Sequence, residues 1–150
     1  MSDCIACDLM ASGGAPGGGV HETAHWYTDH CIGPLGVGTL IVKPKRHVVH
    51  VAELTPAEAA ELGPLLQQAT AVVTELVEPD QVYVTLWSHA GGAPGHIHFV
   101  VQPVTREQMD TYGLHGPSLQ VQMFALDEAP DPDAMAAFAE RARAVWPSAA

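Results

Sequence analysis

Basic side chains are scarce in this sequence. There are 6 Lys and Arg against 17 Asp and Glu, a net charge of −11. Duplex nucleic acid is bound by neutralising phosphates with a basic face, so no nucleic-acid duplex is expected as partner. An acidic surface of this kind serves solubility. Long apolar runs are also missing. None approaches the ~18 residues that a membrane span requires, so no membrane partner is expected. The opening Met1-Ser2-Asp3-Cys4 lacks the basic-then-apolar pattern of a secretory signal, and the expected location is cytoplasmic. Cysteine is sparse as well: the three copies cannot all pair within one chain.

A length of 150 residues with 47% hydrophobic content suits one domain, expected over residues 1–150. Two of the cysteines form Cys4-Ile5-Ala6-Cys7 and Cys31 stands alone. Without an export signal, C-x-x-C reads as metal or redox before it reads as a structural disulfide. Its spacing lets two thiolates grip one Zn²⁺, with two imidazoles as the usual complement. The competing reading is two buried cysteines acting as small apolar groups. Histidine is abundant at nine copies. On spacing alone either His47 or His50 can complete a metal site. Three of the six basic residues, Lys43, Lys45 and Arg46, sit beside His47, so an anionic substrate would be expected there.

Residues 10–19 read as a Gly- and Ala-rich surface loop. Val20 to His30 is an irregular strand, and Gly38 to Val42 a clear one, closed by a turn at Lys43-Pro44-Lys45-Arg46. Thr55-Pro56-Ala57-Glu58 is a capping box with Pro at the first helical position, and it predicts a helix to about Val77. Its buried stripe is read as Leu62, Leu66, Ala69, Val73 and Leu76, with Gly63-Pro64 as a possible bend. Gln81 to Trp87 alternates as a half-buried strand. Ser88 to Gly95 is a Gly-rich loop, and His96 to Gln102 a strand stopped by Pro103. Weaker helices are predicted at Thr105 to Tyr112 and Pro117 to Phe124. A last one runs from Asp131-Pro132 to Trp146, with Met135, Phe138, Ala142 and Val145 on one face. This order predicts an α+β domain: an antiparallel sheet with helices packed on it.

His96 and His98 are two apart in a predicted strand, so both imidazoles point to one face. The preceding loop, His89-Ala90-Gly91-Gly92-Ala93-Pro94-Gly95, is able to offer backbone N–H groups to phosphate oxygens, although it reads equally as an ordinary hairpin turn.

The segments Cys4-Ile5-Ala6-Cys7, Val20 to Ile32, Gly38 through His47, and Gly91 to Pro103 together resemble the histidine triad (HIT) superfamily, whose signature is His-φ-His-φ-His-φ-φ with φ apolar. The resemblance covers most of residues 4–103, leaving 105–150 as a C-terminal helical extension. It implies a HIT-like fold, with about five antiparallel strands, one long helix and a C-terminal helix. It also implies a structural Zn²⁺ on Cys4, Cys7, His47 and His96, which favours His47 over His50. His98, the middle histidine, becomes the nucleophile. The loop N–H groups of Gly91 and Gly92, with Ser88 and His89, would contact phosphate. Val100 takes the third triad position, where the nucleotidyltransferase branch has Gln and others have His. A rival register would use Pro94, His96 and His98, with His96 as nucleophile; the Pro103 spacing and the zinc assignment favour the first. The implied activity is hydrolysis of a dinucleoside polyphosphate or nucleoside phosphoramidate through a nucleotidyl-histidine. Transfer by the same chemistry and nucleotide binding without turnover are the alternatives. A homodimer is implied by the resemblance.

Overall fold

The computed structural model describes residues 3–148. A short helix α1 (Ile5–Ala11) precedes strands β1 (His21–Glu22), β2 (Trp26–His30) and β3 (Leu40–Pro44). The long helix α2 (Pro56–Val77) leads to β4 (Gln81–Thr85), a small hairpin β5 (His89–Ala90) and β6 (Ala93–Pro94), and then β7 (Phe99–Val104). Helices α3 (Arg106–Tyr112), α4 (Gly116–Leu126) and α5 (Pro132–Val145) follow. Five strands form one antiparallel sheet in the order β1-β2-β3-β7-β4. The expected α+β architecture, an antiparallel sheet with helices packed on it, is what forms. No helix among the described residues is long and apolar enough to cross a membrane.

Strand periodicity divides the interior into two layers. Trp26, Leu40, Val42 and Val101 meet α2 and α5 through Leu65, Ala69, Val72, Val73, Phe138, Ala139 and Ala142. On the opposite face Cys31, Val100 and Val104 pack with Leu119 and Met123 of α4, and with Met109 and Tyr112 of α3. That second face carries the site.

Helix α2 starts where the capping box predicts. Glu58 N–H donates to Thr55 Oγ1 at 3.2 Å and Thr55 N–H donates to Glu58 Oε2 at 2.8 Å. The helix passes Pro64 without ending. Pro64 and Ala60 both lie on the exposed side, where water can satisfy the carbonyl that Pro leaves unpaired. The buried stripe differs by one position from the expectation. Leu65, Ala69, Val72 and Val73 are buried, while Leu62, Leu66 and Leu76 flank them half-buried.

Four other expectations are corrected. Strand β3 begins at Leu40 and runs through Pro44. Val20–His30, read from its residue types as one irregular strand, forms a hairpin of β1 and β2, as the family resemblance over Val20 to Ile32 implies. His96 and His98 precede β7 rather than lie in it, because Ile97 N–H donates to Val48 O outside the ladder. Pro103 does not stop β7. The β3 register ends at Leu40–Val101, so beyond it β7 has no β3 carbonyl to serve and Pro is tolerated. The predicted helices at 105–112, 117–124 and 131–146 form as α3, α4 and α5. A Thr105–Gln108 capping box starts α3 and an Asp131 cap at 3.0 Å from Ala134 N starts α5.

Two outcomes follow from this packing. Leu65→Ala should destabilise by about 2–5 kcal/mol through cavity formation, and Leu66→Ala by clearly less; denaturant unfolding of both variants checks the order. Glu58 is held at about 2, from an ordinary 4.5, chiefly by the Arg46 guanidinium and then by Thr55 N–H. A depressed carboxyl contributes stability that is fully present above pH ~4.5 and lost as pH falls towards 2. Glu58→Gln should therefore lower stability at neutral pH and flatten the acid decline in that window, as read by thermal melts across pH.

Candidate functional site

Four side chains from three distant parts of the chain converge. Cys4 caps α1 and Cys7 lies in its first turn; Cys7 N–H donates to Cys4 Sγ at 3.4 Å. His47 follows β3, and His96 follows the β5–β6 hairpin. Their ligand atoms all lie within 4.8 Å of one another. His96 Nδ1 is 3.5 Å from each of Cys4 Sγ and Cys7 Sγ, and His47 Nδ1 is 3.6 Å from Cys7 Sγ. A tetrahedral zinc with Zn–S near 2.3 Å and Zn–N near 2.0–2.1 Å has S···N edges of roughly 3.6 Å. The donor set and its spacing thus fit Zn²⁺. His50 is exposed and lies outside the cluster.

The turn that carries His47 is fixed from α2. Arg46 Nε and Nη2 donate to the two Glu58 carboxylate oxygens at 3.0 and 2.9 Å, and Nη2 also reaches Glu53 O. His47 is exposed on one side while its Nδ1 faces Cys7, and its ring meets His96 edge-on at 5.1 Å. His96 is buried, and its Nε2–H donates to Pro44 O at 2.8 Å. That bond leaves Nδ1 as the lone-pair nitrogen facing the thiols. Burial holds His96 below the ordinary imidazole range, in the neutral form that ligates metals. Burial and the neighbouring Cys4 push the metal-free Cys7 thiol up to about 11. Cation binding must therefore displace protons, and affinity falls as pH falls.

His98 lies two residues on. Its backbone N–H donates to Ser88 Oγ at 3.2 Å, and its Nδ1–H donates to His96 O at 3.1 Å. Nε2 has no hydrogen-bond partner among the described residues. The half-buried ring stands between two pockets. One, of about 580 Å³, borders the Cys-His cluster together with His89, Pro94 and Gly95. The other, of about 200 Å³, is mostly apolar, with Ile5, Leu9, Ile41, Val100 and Phe124 in its walls. Such a ring has a fixed tautomer and one available nitrogen, which is what attack on an electrophile needs.

The remaining expected contacts are distributed differently. Ser88 is buried and serves the His98 backbone. His89 is exposed and lines the larger pocket. Gly91 and Gly92 form the two-residue tip of the β5–β6 hairpin, with φ of +60° and +84° and nothing within 4 Å of an added Cβ. Gly95 N–H is used by Ser88 O at 2.9 Å. Val100 is buried against Leu35, Leu119 and Met123. The expected basic cluster offers no free cation. Lys43 pairs with Asp29 at 3.0 Å, Lys45 with Glu22 at 2.8 Å and Arg46 with Glu58 at 2.9 Å.

Sequence reasoning missed the Asp29–Lys43 pair, which is almost fully buried in the wall of the apolar pocket. Both Asp29 oxygens accept from Lys43 Nζ, and Oδ2 also accepts from Ala15 N–H at 3.0 Å. Alternation within β2 and β3 could not reveal it, because the shared face depends on the register between the two strands. Helix α1 was missed as well, although Ile5, Ala6 and Leu9 form one side of that pocket.

No protein-family model matches the chain, and no curated protein matches it. Solved structures do. A Zn-bound histidine triad family protein from Mycobacterium smegmatis is 21% identical, with 95% of this chain and 94% of that one covered at a TM-score of 0.65. A hypothetical histidine triad nucleotide-binding protein from Sulfolobus tokodaii is 16% identical over 94% and 90%, at 0.69. A hypothetical protein from Leishmania major is 30% identical over 70% and 75%, at 0.59. The five-stranded antiparallel sheet with its long α2 is the fold of the histidine triad proteins.

Proposed function

We propose that this chain is a nucleotide phosphohydrolase of the histidine triad type, with His98 as nucleophile and a structural zinc on Cys4, Cys7, His47 and His96. The observation that carries the reading is the state of His98: Nδ1 is tied to a backbone carbonyl, Nε2 has no hydrogen-bond partner among the described residues, and the residue lines both pockets. His96, by contrast, has both nitrogens engaged, which argues against the register that would make it the nucleophile. The Sulfolobus neighbour is described as nucleotide-binding and the Mycobacterium neighbour as Zn-bound, in keeping with both halves of the proposal.

In the proposed reaction, His98 Nε2 attacks the α-phosphorus of a dinucleoside polyphosphate or nucleoside phosphoramidate. The bond to the leaving group breaks, and a nucleotidyl-histidine forms. Water then attacks the same phosphorus, the Nε2–P bond breaks to release the neutral imidazole and the nucleoside monophosphate, and the proton lost by water passes to the leaving group or to solvent. The bond from Nδ1–H to His96 O stabilises the positive charge that develops on the ring. Ser88 holds the backbone of His98 in place. His89, on the opposite side of the larger pocket, is positioned to contact phosphoryl oxygens. Zinc supplies no reaction chemistry, because four protein ligands close its coordination sphere. Val100 cannot donate a proton to a leaving group, and this observation favours the second reading, transfer to an acceptor other than water or binding without turnover. The proposal further places the chain in the cytoplasm as a homodimer of one 150-residue domain.

Two outcomes test the reading. Protein purified without chelator should hold one zinc per chain, His47→Ala and His96→Ala should reduce occupancy, and chelation should lower the melting temperature; metal analysis at zero removes the zinc assignment. Acid quench after incubation with a labelled nucleoside phosphoramidate should leave nucleotide covalently on the wild type. His98→Asn should cut turnover by about three orders of magnitude or more, abolish that adduct, and keep its metal. An adduct that persists in His98→Asn but vanishes in a metal-replete His96→Asn would replace this assignment with the other register.

A further inference from the structure

We infer that His89 is the proton donor to the leaving group, a task that Val100 cannot perform; this rests on the proposed attack of His98 at phosphorus.

When His98 Nε2 bonds to phosphorus, the electron pair of the breaking bond goes to the departing atom. A departing amine or alcohol is too basic to leave as an anion near neutral pH, so it must take up a proton as it goes. The donor has to stand in the space that adjoins His98.

Two pockets adjoin that ring. In the apolar one, Lys43 Nζ is spent on both Asp29 oxygens at 3.0 Å. His30 is buried, with Nδ1 bonded to Cys31 O at 2.8 Å and Nε2 accepting from Gly38 N–H at 2.9 Å. Burial pushes the Cys31 thiol up to about 11, where it keeps its proton. In the larger pocket, Cys4, Cys7, His47 and His96 are committed to the proposed metal. Asp3 offers a carboxylate, which accepts hydrogen bonds and repels phosphate. His89 remains, and an imidazole both gives and takes a proton near neutral pH.

The backbone brings His89 to this place. Its neighbour Ser88 accepts from His98 N–H at 3.2 Å through Oγ, and from Gly95 N–H at 2.9 Å through its carbonyl. His89 pairs with Pro94 across the β5–β6 hairpin. A Cβ added at Gly95 would stand 3.3 Å from the His89 carbonyl carbon and 3.4 Å from Ala90 N. The root of the hairpin is thus pressed against the segment that carries His96 and His98. His89 and His98 line the same pocket. The His89 ring is exposed and has no hydrogen-bond partner among the described residues, so its proton is not tied up elsewhere.

The step balances. Protonated His89 gives its proton to the departing nitrogen or oxygen as the bond to phosphorus breaks. Neutral His89 then takes a proton from the water that attacks the nucleotidyl-histidine. The Nε2–P bond breaks with its electron pair returning to His98, and both rings end as they began.

The test compares two probes on the metal-loaded full chain and on His89→Asn. One is adenosine 5′-phosphoramidate bearing an alkylamine, which needs a proton to leave. The other is the p-nitrophenyl ester of adenosine 5′-monophosphate, whose nitrophenolate leaves as a stable anion. With the alkylamine probe, kcat/KM of His89→Asn should fall by about a hundredfold or more. With the nitrophenyl probe it should fall by roughly tenfold or less. Both rates come from one preparation, so any loss of folded protein cancels from the comparison. Equal losses on the two probes would overturn the inference, because His89 would then only contact phosphoryl oxygens. So would no loss on the alkylamine probe, or a wild type that turns over the nitrophenyl probe alone. If the wild type forms no nucleotide adduct and turns over neither probe, the chemistry at His98 fails and the proton donor fails with it.

Discussion

The imidazole of His96 is the constraint on which the rest of the site depends. One nitrogen faces two thiols of α1 and the other donates to the carbonyl that ends β3. A single buried ring thus joins the N-terminal helix, the third strand and the segment entering β7. These pieces lie 40 to 92 residues apart in sequence, and closing such loops carries an entropic cost. A cation held by the four side chains, as proposed, would offset part of that cost. The same bond network sets the backbone from which His98 projects, since the His96 carbonyl is the acceptor that fixes the His98 tautomer.

The electrostatics of the pocket follow from local pairing rather than from net charge. Three cations lie within four residues, but each has a carboxylate within 3.0 Å. The Lys43–Asp29 pair is the most deeply buried of the three. Lys43 Nζ donates to both Asp29 oxygens and also lies 5.6 Å from the Tyr27 ring. Burying two charges is tolerable only when their hydrogen-bonding capacity is filled in this way. The wall beside His98 is therefore close to electroneutral. Attraction for an anion falls to imidazoles and to N–H groups, whose effect is short in range and weakly screened by salt.

How much of this was legible in sequence depends on how local each signal is. The caps at Thr55, Thr105 and Asp131 are written within four residues, and all three helices start there. The C-x-x-C was legible as a candidate metal pair because its spacing is specific, whereas His96 joined it only through the family resemblance, one histidine among nine. The offset of the α2 stripe from Leu66 to Leu65 was not, since the sheet decides which edge of a broad apolar face is centred. Helix α1 gave no signal: its cap is a cysteine rather than Ser, Thr, Asp or Asn, and only Ala6 is buried. Gly91-Gly92 was read as a phosphate loop or a turn, and the positive φ values fit a tight two-residue hairpin. The Asp29–Lys43 pair required the β2–β3 register, in which Asp29 opposes Ile41 and Tyr27 opposes Lys43, and register is a tertiary fact.

His96 and His98, two positions apart, are hydrogen-bonded through different ring nitrogens. Both leave the chain on the same side of an extended segment, and Ile97 between them is buried on the other. Each gives one N–H to a backbone carbonyl, so both tautomers are set from outside the ring. What differs is the other nitrogen. In His96 the bonded atom is Nε2, so Nδ1, close to the backbone, faces the thiols. In His98 the bonded atom is Nδ1, so Nε2, at the far end of the ring, is left without a hydrogen-bond partner among the described residues. A carbonyl that captures Nδ1 frees the reach of the side chain, and one that captures Nε2 uses it up. Under the proposed roles, the difference between ligand and nucleophile follows from where Pro44 O and His96 O lie, and those atoms are positioned by the end of β3 and the entry to β7.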